Sequence, residues 1–388
     1  MPNPDARSPM PDSSLADGRS PMLDSGSSLA DARSPRPGSS LADARSSSAD
    51  SFLPKPDARS HSVDSFLPKP DARIPLTALC LSGGGSKGAW ECGVIKYLAE
   101  QGLEFDCFAG TSVGAINAAF LAQYKNLLEG VAALEAQWRA VDDSKIRKPW
   151  NRVFGDFAAI DHESIYDSSP LWDWISSLIV PARVSGSGKA LRVVSTSLSS
   201  GQKHVASEAD PHIDIRVQAS SAFPIAFRNV HYDSQRWCDG GIRSNTPLGA
   251  AIDSGATDIT VVMAHDPKKL GLFDPSSLIY GVALRSLELL FNTVEYADLR
   301  SCLEKNDLSQ TIAAYRKVTI RLIMPTGILA QTLDFSPTQV AAMIDQGFKD
   351  GATISDPMTL TNFETLYGTP KKTTSAVGHQ SSVIGQTR

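Results

Sequence analysis

From Ile74 onward the chain alternates short apolar runs with stretches whose apolar residues return every three or four positions, the pattern of strands alternating with helices. Leu76 to Leu81 reads as a strand and runs into Gly83, Gly84 and Gly85. After them Trp90, Val94, Tyr97 and Leu98 recur at helical spacing up to Gly102, where a helix stops. The unit then repeats: Phe105 to Ala109 is a short strand, Gly110 to Gly114 a turn, and Ala115 to Tyr124 an alanine-rich helix. Further strands are predicted at Leu191 to Thr196, Val230 to Tyr232, Arg236 to Cys238, Asp258 to Met263 and Val318 to Met324, with helical segments between them. A crossover helix returns the chain to the starting end of the sheet, so consecutive strands pair in parallel. The pattern predicts an α/β domain over residues 74–357. Past Pro357 the sequence turns polar, and residues 358–388 read as a C-terminal tail.

Residues 1–73 have another texture. They hold 11 of the 24 prolines and 17 serines, with Phe52 and Phe66 as the aromatic residues, so they offer nothing from which to build a core. They are also repetitive: SSLADGR or SSLADAR begins at Ser13, Ser27 and Ser39, and DSFLPKPDAR runs from Asp50 to Arg59 and again from Asp64 to Arg73. Units this short and this interrupted by proline do not match solenoid repeats. A disordered tail is the expectation. It reads either as a dispensable extension or as a tether for a partner or a membrane.

Composition narrows the function. Lys plus Arg number 37 against 42 Asp plus Glu, a formal charge of -5, which lacks the basic excess that nucleic-acid binding requires. The five cysteines, Cys80, Cys92, Cys107, Cys238 and Cys302, are odd in number and contain no CxxC pair, so neither a disulfide framework nor a zinc site is indicated. Acidic Asp5, Asp12 and Asp17 stand where a signal peptide would be basic and then apolar, and the uncharged stretch Cys107 to Tyr124 is too polar for a membrane span. A cytoplasmic protein with at most peripheral membrane contact is expected.

Three motifs carry chemistry. Gly110-Thr111-Ser112-Val113-Gly114 is a G-x-S-x-G run between a strand and a helix. A serine at such an elbow is held in a strained conformation that exposes its hydroxyl, and glycines two positions away let strand and helix approach. The pattern alone arises by chance in roughly one chain in ten of this length, so its strand-to-helix setting is what makes Ser112 a candidate nucleophile. Gly83-Gly84-Gly85-Ser86-Lys87-Gly88 also joins a strand to a helix. Its amides can bind a phosphate or an oxyanion. A nucleotide-binding P-loop needs Lys and Ser/Thr after its last glycine, but Ala89 follows Gly88 here; Gly186-Ser187-Gly188-Lys189 fails because Ala190 follows the lysine and no glycine occupies position 183. The third motif, Asp239-Gly240-Gly241, follows a strand and precedes Asn245-Thr246-Pro247, which reads as a helix start. An aspartate there either holds a turn or, if burial raises its basicity, accepts the proton of a serine.

Together the three motifs, with Ala219 to Phe227 (ASSAFPIAF) and Asn245 to Pro247, resemble the patatin-like phospholipase family of lipid acyl hydrolases. The resemblance covers about residues 74–357 and implies a three-layer α/β fold whose central, mostly parallel sheet is flanked by helices. It also implies Ser112 as nucleophile, Asp239 as base, and Gly83, Gly84, Gly85 and Gly88 as the oxyanion-hole loop, with Lys87 at a basic position. The substrate would be a lipid or other ester and the intermediate an acyl-serine; no metal or cofactor is implied. Ile225 stands where a glycine is expected.

Competing readings are an acyltransferase using the same acyl-serine and a catalytically silent lipid-binding protein. An α/β-hydrolase triad would add His265, which follows Asp239 in chain order; the D-G-G and N-T-P context instead leaves His265 structural or exposed. Trp138, Trp150, Trp172 and Trp174, and the helical face of Leu284, Leu287, Leu290, Phe291 and Val294, read as core or as an acyl pocket.

Overall fold

The structure, a computed structural model, describes residues 76–149, 163–266, 279–312 and 316–367. The N-terminal repeats, Trp150 and residues 368–388 lie outside them.

In chain order the elements are β1 (Leu76–Leu81), α1 (Gly88–Glu100), β2 (Cys107–Thr111), α2 (Val113–Leu121), α3 (Leu127–Arg139) and α4 (Asp143–Ile146). A small ribbon of β3 (Lys148–Pro149) and β4 (Tyr166–Asp167) follows, then α5 (Ser169–Leu178), α6 (Pro181–Gly186), β5 (Ala190–Ser197), β6 (Lys203–Ser207) and α7 (Ile213–Ser220). The rest comprises β7 (Val230–Tyr232), β8 (Gln235–Asp239), α8 (Leu248–Asp253), β9 (Ala256–Val262), α9 (Ile279–Leu308), β10 (Thr319–Ile323), α10 (Pro337–Gly351) and α11 (Leu360–Tyr367).

The main sheet runs β10-β9-β1-β2-β5-β8-β7, with β6 also paired to β5. β10, β9, β1, β2 and β5 are mutually parallel, while β6, β7 and β8 join antiparallel. This is the three-layer α/β architecture, since successive strand residues point to opposite faces. Leu79 and Leu81 face a core shared with α1, α2, α3 and α10, whereas Ala78 and Cys80 face one shared with α8, α9 and α11. All five cysteines are buried and free.

Helices α1 and α10 cross at a pair of glycines. A Cβ on Gly93 would lie 2.0 Å from the Ile344 carbonyl oxygen, and one on Gly347 would lie 2.0 Å from that of Trp90. The backbones are therefore in contact, and the Trp90 indole N–H donates to Asp350 at 2.9 Å beside the crossing.

Several boundaries differ from the sequence expectation. β2 extends through Gly110 and Thr111, because both stay in register with β5 (Gly110 opposite Val193, Thr111 opposite Val194), and α2 starts at Val113. β6 was not anticipated: Lys203 and His204 hide a strand that is held by pairing with β5. The expected tail after 357 begins with α11, whose Phe363 is buried with Met358 against α9, so ordered structure reaches at least Tyr367. Leu290, expected on the apolar face of α9, is 58 % exposed, while Phe291 is buried.

Candidate active site

The register of the sheet brings the candidate residues to one level. Thr111 at the end of β2 pairs with Val194, so Ser112 is level with Ser195, and Ser195 pairs on its other side with Asp239. β1 ends at the same edge and delivers the glycine loop, as expected where ligands gather beyond the carboxyl ends of parallel strands.

Ser112 has φ 57° and ψ -127°, a left-handed conformation that costs a non-glycine residue energy and marks a turn held by its surroundings. What holds it is visible. A Cβ on Gly110 would lie 2.1 Å from the Gly114 carbonyl oxygen, and one on Gly114 would lie 2.4 Å from that of Leu81. The Ser112 amide donates to Ser220 Oγ at 2.9 Å, and Ser221 Oγ donates to the Ser112 carbonyl at 3.2 Å. The two serines of ASSAFPIAF thus clamp the elbow.

Asp239 is fully buried. Its Oδ1 accepts the Gly241 amide at 2.8 Å, and its own amide donates to the Ala222 carbonyl at 3.0 Å. Burial pushes its carboxyl up to about 7, against the opposing pull of the Ser112 hydroxyl and the Gly241 amide. Oδ2 has no close, well-aligned hydrogen bond, so the contact with the Ser112 hydroxyl is looser than a formed one. Such looseness is usual before a substrate is bound.

The four loop glycines separate into two kinds. The Gly83 amide donates to the Asn245 carbonyl at 3.2 Å, and the Gly88 amide is taken by the carbonyls of Gly85 and Ser86. Both residues are glycine for space: a Cβ would meet Asn245 Oδ1 at 2.4 Å and Val113 Cγ2 at 2.2 Å, respectively. Gly83 and Gly88 therefore do not offer free N–H groups, contrary to the sequence expectation: the Asn245 carbonyl, remote in sequence, takes the first and the loop's own turn takes the second. Gly84 and Gly85 line the cavity beside Ser112 with amides that no hydrogen bond among the described residues takes up.

Residues remote in sequence brace this loop. Lys87 is buried and pairs with Glu288 of α9 at 3.1 Å. Burial lowers the lysine pKa, while Lys87, Thr332 and Arg285 outweigh burial at Glu288 and hold its carboxyl below the usual range. Glu295, also on α9, accepts from Thr246 Oγ1 at 2.6 Å and Asn245 Nδ2 at 3.4 Å, and burial pushes it up to about 7. His265, expected to be structural or exposed, is not exposed: it follows β9 and is buried against the cavity. Ile225 has φ 71°, which explains why a glycine is expected there.

Ser112 lies at one side of a cavity enclosing about 620 Å³ of space, part of it open to solvent. Its wall is chiefly apolar: Val113, Ile116 and Ile146, the edge-to-face pair Trp138 and Trp174, and Phe223 against Phe291. Among the described residues no group of three or more His, Cys, Asp or Glu side chains is set to hold a metal ion, and no helix is long and apolar enough to cross a membrane.

A strained serine turn and a buried aspartate thus stand together at the strand ends of a mostly parallel sheet. Residues 79–252 match the family described as Patatin-like phospholipase. A curated relative, patatin-like phospholipase domain-containing protein 7 of Rattus norvegicus, is 24% identical over 215 residues, which is 55% of this chain and 15% of that protein. The solved structures that resemble this one include VipD from Legionella pneumophila, at 16% identity and TM-score 0.37, covering 73% of this chain and 68% of that one. Another is human GIVD cytosolic phospholipase A2 in complex with methyl gamma-linolenyl fluorophosphonate, at 11% identity and TM-score 0.39, covering 76% and 59%. The family match ends at 252, so His265, Glu288 and Glu295 lie outside it.

Proposed function

We propose that the protein hydrolyses carboxylic esters of lipids through an acyl-serine intermediate, with Ser112 as nucleophile and Asp239 as base. The observation that carries this reading is the buried Asp239 carboxyl, pushed up to about 7 and abutting the Ser112 hydroxyl at the wall of an apolar cavity. A carboxylate of ordinary acidity is too weak a base for a hydroxyl, and burial is what raises its basicity.

The acyl chain lies in the apolar cavity. As Ser112 Oγ attacks the carbonyl carbon, its proton passes to Asp239 Oδ2, the oxygen left without a partner. The amides of Gly84 and Gly85 receive the negative charge on the carbonyl oxygen. Collapse expels the alcohol, which takes the proton from Asp239. Water then gives a proton to Asp239 and attacks the acyl-serine; as the fatty acid is freed, Asp239 passes that proton to Ser112 Oγ and the hydroxyl is restored.

The test is hydrolysis of short- and long-chain esters by the wild type, Ser112→Ala and Asp239→Asn, with circular dichroism to check folding. Each substitution abolishes turnover while the fold persists. Activity retained by either folded variant rejects the dyad.

A further inference from the structure

We propose that His265 binds a free hydroxyl on the alcohol half of the substrate, which makes esters of polyols such as glycerol the preferred class over esters of simple alcohols. This deepens the reading above and rests on it.

The polar side chains lining the apolar cavity are few, and nearly all are already engaged. Ser221 Oγ donates to the Ser112 carbonyl. Thr332 Oγ1 donates to Glu288 at 2.6 Å, and Glu288 also accepts from Lys87 at 3.1 Å and Arg285 at 2.7 Å. Ser112 faces Asp239. His265 is different: its side chain is 7 % exposed, both ring nitrogens are without a hydrogen bond, and the nearest carboxylate, Glu295, is 3.8 Å from Nδ1. A buried polar group left unpaired is a standing penalty that a ligand with the right group removes.

Its place says which half of the ester would supply that group. His265 Cε1 lies 3.5 Å from where a Gly84 Cβ would stand, beside the amides proposed to hold the carbonyl oxygen. The same ring and Glu288 also line a second, polar cleft, partly open to solvent, with Lys87, Arg285 and Asp266. With the acyl chain in the apolar cavity, the alcohol half is left to the polar side, past His265.

The chemistry of the ring selects the class. Burial, followed by Lys87 and Arg285, lowers its pKa, so the imidazole is neutral and presents one donor and one acceptor. A phosphate oxygen only accepts and an ammonium only donates. A hydroxyl does both, and a vicinal pair of hydroxyls satisfies both nitrogens. Lys87 and Arg285, the cations of this side, are shared with Glu288 rather than presented to an anion.

The experiment compares kcat/KM for the glycerol monoester and the methyl ester of one medium-chain fatty acid, using wild type, Ser112→Ala, His265→Leu and His265→Asn. The wild type favours the glycerol ester by more than tenfold. His265→Leu lowers that ratio about 10–100-fold, and His265→Asn, which keeps a donor and an acceptor, restores part of it. Equal rates on the two esters in wild type overturn the inference whatever the variants do, as does an unaltered ratio in folded His265→Leu. In both cases loss of hydrolysis in Ser112→Ala leaves the catalytic reading standing. Absence of Ser112-dependent hydrolysis overturns the inference together with that reading.

Discussion

Replacing Asp239 with asparagine separates catalysis from stability in a way that depends on pH. The carboxyl has its ordinary value of 3.8 in the unfolded chain and about 7 in the folded one. That is roughly a 10³-fold change in acidity, or ~4 kcal/mol at ~1.4 kcal/mol per tenfold. The folded protein keeps the proton where the unfolded chain has released it, so this group's contribution to stability falls as pH rises from about 4 to about 7. Below 3.8 both states are protonated and the effect vanishes; above 7 it is complete. Asparagine does not titrate. The unfolding free energy of Asp239→Asn minus that of wild type therefore grows by up to ~4 kcal/mol between pH 4 and pH 8, whatever constant offset the amide introduces. Glu295, also pushed up to about 7, titrates in both proteins and cancels in the difference. Urea unfolding of the two proteins across this range measures it. Parallel pH profiles, or an asparagine variant that loses ground at high pH, would refute the claim that burial raises the basicity of Asp239.

Catalysis runs the opposite way with pH: kcat/KM rises tenfold per pH unit below about 7 and levels above it, as Asp239 loses its proton, and a rate already flat from pH 5 contradicts this. Gly347→Ala forces a methyl into the Trp90 backbone at 2.0 Å and lowers stability by about 3 kcal/mol in denaturant titration; a loss below 1 kcal/mol shows that the crossing can yield. Ile225→Gly is nearly neutral, within about 0.5 kcal/mol, because release of the strain at φ 71° offsets the loss of a side chain that is already exposed and the greater freedom of glycine in the unfolded chain, whereas a loss above 2 kcal/mol contradicts that strain.

Local signals made much of the site legible. β1 spans the residues its apolar run predicted, and G-x-S-x-G and D-G-G each mark a turn at a strand end because the turn chemistry is contiguous in sequence. The division of labour within the glycine loop was not legible. Whether a glycine is there for its free amide or for space depends on Asn245 and Val113, which reach it from distant segments. The support from α9 was hidden for a related reason. Glu288 and Glu295 interleave with Leu284, Leu287 and Phe291, so the helix reads as an ordinary amphipathic one, and no pattern says that its carboxylates meet Lys87 and the N-T-P segment. His265 follows a strand like any polar loop residue; only the cavity distinguishes it.

Covalent capture tests the central claim most directly. Incubating the protein with an alkyl fluorophosphonate and mapping the adduct by mass spectrometry should give one modified residue, Ser112. Labelling should vanish in Ser112→Ala and slow at least a hundredfold in Asp239→Asn, since the hydroxyl then lacks its proton acceptor. An adduct on another residue, or labelling of Asp239→Asn at the wild-type rate, would contradict the account.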